Sequence, residues 1–277
     1  MPKKLQVSLI LLSFLCALLI LSFLVTEASG LFFTHKIDLL KKSGAGVVIF
    51  YLLFLLLVLF YQKKVFQLPI QELGFNAYPS WKKELFLAYI TAFLLALSYG
   101  VFGVLAQKMT LSFDAPLKQW LAFCASLLFP FFVAFAEETL FRGFFLNLFQ
   151  RGYSKVTASL LSSFLFAFSH NLKTFADWTR PDQIFKFIGL FILGNMFCSA
   201  KLWRKSLFLP IGLHAGFVTY RLLIRKTHLF KYDIDDTQNN LLFGVIDDPR
   251  TALITWAVFS LMLLFFIYKN KKSNLKQ

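Results

Sequence analysis

Eight apolar runs separated by short polar loops make up most of the chain. They are Leu5–Val25, Gly44–Tyr61, Leu85–Leu105, Leu117–Ala136, Val156–Ser169, Ile184–Ala200, Leu207–Leu223 and Thr251–Tyr268. Within each run the apolar positions follow one another without the alternation of a half-buried strand. A backbone in hydrocarbon must satisfy its own polar groups, which leaves helices or a closed barrel. Unbroken runs select helices. The pattern therefore predicts an all-α fold, a polytopic membrane bundle of about eight transmembrane helices, with residues 1–277 as a single integral membrane domain.

Composition sharpens this picture. Of 277 residues, 58% are hydrophobic and 16% charged, and the mean hydropathy is +0.66. That excludes an ordinary soluble domain, a disordered chain and a disulfide scaffold. Trp81, Trp120, Trp178, Trp203 and Trp256 stand near predicted helix ends, where an interfacial belt places them. Cys16, Cys124 and Cys198 are each alone inside apolar segments and read as small core residues.

The net charge of +15 raises the question of a nucleic-acid partner. The basic residues fall instead in short loops beside apolar runs, as Lys63-Lys64, Lys82-Lys83, Arg204-Lys205 and Lys271-Lys272. That placement fits topology determinants and lipid contacts, and no basic-aromatic motif points to nucleic acid. The expected partner is the lipid bilayer. Lys3-Lys4 before the first run could open a signal peptide, but the run is long and no A-x-A site follows, so a retained span is expected. The Lys and Arg distribution favours cytoplasmic N- and C-termini by a small margin. The longer loop 227–250, with Asp233, Asp235, Asp236, Asp247 and Asp248, lacks the spacing of a calcium loop and is expected to be solvated.

The informative residues are those that do not belong in lipid, because an intramembrane charge costs at least ~2.5–3.5 kcal/mol and marks function by default. They fall in three places: Glu137-Glu138-Thr139-Leu140-Phe141-Arg142, His170 and His214. On a helix, Glu138 and Arg142 are four apart with the acid first, the favoured order for an ion pair. Glu137 then points about a hundred degrees away and is left as a candidate general base. Phe166, one turn before His170, can pack on its imidazole. Around His214, Gly212 and Gly216 form a small-xxx-small face for close helix contact, and His214 lies nearly opposite it. Taken singly, either histidine could be a structural hydrogen-bonding residue, and the Glu-Arg pair a packing clamp.

Glu137-Glu138-x-x-x-Arg142, Phe166-x-x-x-His170, and His214 after Leu209-Pro210-Ile211-Gly212-Leu213 resemble, in order and separation, the three signatures of the CPBP family. These are intramembrane CAAX-protease and bacteriocin-processing, Abi-like proteins. The similarity extends over roughly 131–217, with a weak Glu72-Leu73-Gly74-Phe75 upstream.

The resemblance implies an intramembrane endopeptidase, with residues 117–223 as its catalytic core region. Its expected partner is a membrane-embedded or lipid-anchored peptide or protein, prenylated in some relatives. Carried over, Glu137 resembles the base that activates water, aided by His170. Glu138 and Arg142 resemble the supporting pair, and His214 the donor to the oxyanion. The family usually has Asn or Asp one turn after that histidine; here it is Val218. Asn195 and Arg221 are the candidates to supply the missing donor.

Glu137, His170 and His214 are zinc ligands by type, yet there is no H-E-x-x-H. The similarity to type II CAAX prenyl endopeptidases implies a metal-free mechanism, with a divalent metal such as zinc as the alternative. Two other functions compete. A catalytically silent scaffold or immunity protein would explain Val218. A proton-coupled transporter would also bury Glu and His, but no internal repeat is present.

Overall fold

In the computed structural model, the described residues are 3–32, 45–170, 180–232, 242–244 and 248–275. Helices dominate: α1 (Lys3–Phe32), α2 (Ala45–Phe60), α3 (Trp81–Leu105), α4 (Leu117–Ala125), α5 (Phe129–Glu138), α6 (Leu146–Gln150), α7 (Lys155–Ser169), α8 (Pro181–Arg204), α9 (Phe208–Thr227) and α10 (Leu253–Asn274). A two-stranded antiparallel ribbon, β1 (Met109–Leu111) with β2 (Phe230–Tyr232), ties the end of α3 to the end of α9. The protein is an all-α helical bundle.

Among the described residues, Trp81–Leu105, Leu117–Gln150, Pro181–Arg204 and Leu253–Ser273 are long and apolar enough to cross a membrane, and Lys155–Ser169 is a shorter apolar helix. The chain is an integral membrane protein. Leu94 on α3, Leu121 on α4 and Leu261 and Leu264 on α10 are exposed, as side chains facing acyl chains would be. Inside, aromatic rings carry the packing. Phe14 is fully buried between Phe144, Tyr61 and Phe145, with ring centroids 4.6, 5.2 and 5.3 Å away.

Three local readings are corrected. The predicted helix over Leu117–Ala136 is two helices, because Pro130 has no N–H to continue the ladder across residues 126–128. Cys16 and Cys124 are exposed, and of the three cysteines only Cys198 is buried. Asp248 is not simply solvated: its carboxylate takes the Arg250 Nε at 2.7 Å and the Arg250 backbone N–H at 3.1 Å. Burial alone would raise the Asp248 carboxyl, but the hydrogen bonds and charge of Arg250 hold it below the ordinary range. Asp233, Asp235, Asp236, Asp247 and Trp178 lie outside the described residues.

The element that positions the site is α9. A Cβ on Gly212 would lie 2.3 Å from the Leu85 carbonyl oxygen, and one on Gly216 2.4 Å from that of Tyr89. The two glycines thus let α9 lie directly on the backbone of α3. Its opposite face, carrying His214, turns toward α5.

Candidate active site

Glu137 and Glu138 end α5, and the chain then widens into a π-helical turn over Thr139–Phe145. Wide turns of this kind recur at functional sites. The Glu138–Arg142 pair expected of an ordinary α-helix survives the change of geometry: Arg142 Nη1 donates to Glu138 Oε1 at 2.9 Å, both side chains fully buried. Arg142 Nη2 reaches the Gly194 carbonyl on α8 at 3.1 Å. Its guanidinium sits 4.4 Å from the Phe166 ring centroid and 5.0 Å from that of Phe197. A buried cation thus has an ion-pair partner, a carbonyl and two aromatic faces.

His214 joins this pair. Its Nδ1 lies 2.7 Å from the same Glu138 oxygen, and its ring stacks on Phe197 with centroids 5.1 Å apart. That oxygen already accepts from Arg142, so His214 Nδ1 is placed as a second donor to it. On the neighbouring helix, His170 caps α7 and its Nδ1 lies 2.8 Å from the Phe166 carbonyl oxygen. A carbonyl can only accept, so this nitrogen is also the N–H. Phe166 packs on the His170 ring, centroids 4.6 Å apart.

Both remaining imidazole nitrogens face one atom. His170 Nε2 is 3.5 Å and His214 Nε2 is 3.7 Å from Glu137 Oε2. That oxygen is buried and has no hydrogen-bond donor among the described residues. The other oxygen, Oε1, accepts from the Tyr51 hydroxyl. Glu137 is therefore not left free, and Tyr51 is the site residue that motif reading missed. The available signal was a phenol in the middle of the Gly44–Tyr61 run, far from either interface.

Glu137, His170 and His214 stand on the wall of a cavity of about 290 Å³, otherwise lined largely by apolar side chains. Val218 lines it too, and so does Arg221 one turn on. Asn195 does not: its amide donates to the Phe191 carbonyl at 2.9 Å, one turn back on its own helix. Among the described residues no group of three His, Cys, Asp or Glu side chains could hold a metal ion.

Comparison with known families bears on this region. Residues 119–220 match the family model for type II CAAX prenyl endopeptidase Rce1-like proteins. The resemblance to the CPBP family is borne out. This Rce1-like region runs from α4 to the third-last turn of α9 and contains all three motifs. It supports a CAAX-type intramembrane protease as the kind of function. No curated protein and no solved structure matches.

Proposed function

We propose that the chain is an intramembrane endopeptidase that hydrolyses peptide bonds of membrane-embedded or lipid-anchored substrates with Glu137 as general base. The observation that carries this reading is the orphaned Glu137 Oε2, facing two imidazole nitrogens at the wall of a largely apolar cavity. A water held between Glu137 Oε2 and His170 Nε2 gives its proton to Glu137 while its oxygen attacks the scissile carbonyl carbon. The carbonyl oxygen becomes an oxyanion. His214, held at Nδ1 by Glu138, turns Nε2 toward it as the oxyanion-stabilising group. Glu138 and Arg142 hold that imidazole in place. Collapse of the intermediate breaks the C–N bond as the proton on Glu137 passes to the leaving amine.

Val218 cannot donate to the oxyanion, so Arg221 takes that role from the same wall of the cavity. The apolar lining suits a lipid-borne or apolar peptide, and residues 117–223 form the catalytic core of one membrane domain. The termini face the cytoplasm of a bacterial cell membrane. The test is Glu137→Gln in native membranes: cleavage of a membrane-anchored reporter is lost while the protein accumulates normally. Undiminished cleavage by Glu137→Gln would refute this role. Val218 favours a second reading, a silent scaffold or immunity protein. Wild-type protein inert toward prenylated and membrane-peptide panels, with activity appearing in Val218→Asn, would establish that one.

A further inference from the structure

The end of α6, the start of α7 and the end of α8 enclose a second cavity, of about 410 Å³. Lys155 opens α7 and His170 caps it, so roughly 22 Å of helix separates this cavity from the Glu137 cluster. Arg151, Lys155, Lys201 and Lys205 line it, and Glu72 is the one carboxylate among its described lining residues.

The cavity is built rather than merely charged. Lys201 is 8% exposed, and its ammonium donates to a neutral partner, Asn147 Oδ1, at 2.6 Å. Asn147 cannot turn away, because its Nδ2 donates to the Glu72 carbonyl oxygen at 2.7 Å. Arg151 lies with its guanidinium 4.2 Å over the Phe66 ring centroid, which sets the plane of its fork. Gln150 Nε2, on the same wall, is buried with no acceptor among the described residues. A buried ammonium facing an amide is unfavourable until an anion supplies the counter-charge. Cations arriving from separate helix ends, one of them a planar fork, suit a group with several oxygens better than a single carboxylate.

We propose that this cavity binds a phosphate group, held by Lys201, Arg151 and Lys155 with Gln150 donating to it. The group is either the headgroup of an anionic phospholipid or free phosphate. The cavity lies among helix ends, with Lys63 and Lys64 falling in the chain between its lining residues Gln62 and Phe66, and basic residues at the ends of apolar helices are suited to meet bilayer phosphates. The site stands apart from the protease reading and does not depend on it.

Full-length protein in nanodiscs tests this. In discs of neutral phosphatidylcholine, inorganic phosphate is titrated against chloride at matched ionic strength. In a second set, phosphatidylglycerol replaces part of the lipid. Thermal stabilisation is followed in each for wild type, Lys201→Met and Lys155→Gln. Lys155 is exposed, so its replacement leaves the fold intact even if the buried substitution does not. Wild type is stabilised by at least one ligand, and that response weakens about tenfold in either variant that folds. A response in phosphatidylcholine discs identifies free phosphate; one confined to phosphatidylglycerol discs identifies the headgroup. A wild type stabilised by neither ligand overturns the proposal, as does a response equally strong in Lys155→Gln and in any folded Lys201→Met.

Discussion

Removing Arg142 separates what holds the bundle together from what the site does. Its guanidinium and the Glu138 carboxylate are both fully buried, 2.9 Å apart, and His214 shares the same carboxylate oxygen at 2.7 Å. Arg142→Met keeps most of the side chain's length and leaves Glu138 with a single donor. Breaking a buried pair by removing one member costs roughly 3–5 kcal/mol, because the other charge stays behind. At about 2–4 °C per kcal/mol for a chain of this size, the expected fall in Tm is on the order of 10 °C. The double variant Glu138→Gln with Arg142→Met removes both charges and should recover much of that loss, giving a coupling of about 2 kcal/mol or more in a double-mutant cycle. Reporter cleavage should not return with stability, because His214 loses the carboxylate that orients its ring. Thermal unfolding in nanodiscs and a membrane-anchored cleavage assay read the two outcomes. Additive stabilities, within about 0.5 kcal/mol, would show that the pair does not act as a unit. Full activity in the double variant would remove the supporting role assigned to Glu138.

Arg221→Met should lower kcat by about a hundredfold or more with little change in KM, and adding Val218→Asn should restore part of it, since one oxyanion donor contributes on that scale. Gly212→Leu should unfold the bundle or prevent its accumulation, because even a Cβ there meets the Leu85 carbonyl oxygen at 2.3 Å; protease resistance in membranes reads this. The Asp248 carboxyl lies below its ordinary value of 3.8 in the folded chain. Its contribution to stability is therefore complete at neutral pH and disappears only as pH falls below the ordinary carboxylate range. Asp248→Asn should flatten that acid limb of a Tm-against-pH curve.

Much of the candidate site was legible in the sequence because membrane embedding makes polar residues conspicuous. Glu137, Glu138, Arg142, His170 and His214 could be picked out since each would be costly facing lipid. Gly212 and Gly216 signalled a close helix contact by spacing alone. What stayed hidden depended on contacts between distant segments. Tyr51 meets Glu137 across 86 positions, and the phenol inside the α2 run hints at a polar partner without saying which. Asn195 and Arg221 looked equivalent as polar residues on helices, yet only helix rotation decides that Arg221 reaches the cavity while Asn195 bonds its own backbone. The interruption at 126–128 was marked by Pro130, but the hydrophobic run across it is continuous. The π-helical turn after Glu138 has no pattern to betray it, because its register is set by packing of Arg142 against α8.

The two histidines differ in what orients them, and that makes them unequal targets for inherited change. His170 is aimed by the carbonyl of Phe166, a group that every amino acid at position 166 would still present. His214 is aimed by the Glu138 side chain, which one codon change can delete. A lineage drifting away from catalysis therefore has a short route through Glu138 and almost none through the anchor of His170. Variant libraries covering both positions should show tolerance at 166 to any residue that fills the space, and almost none at 138.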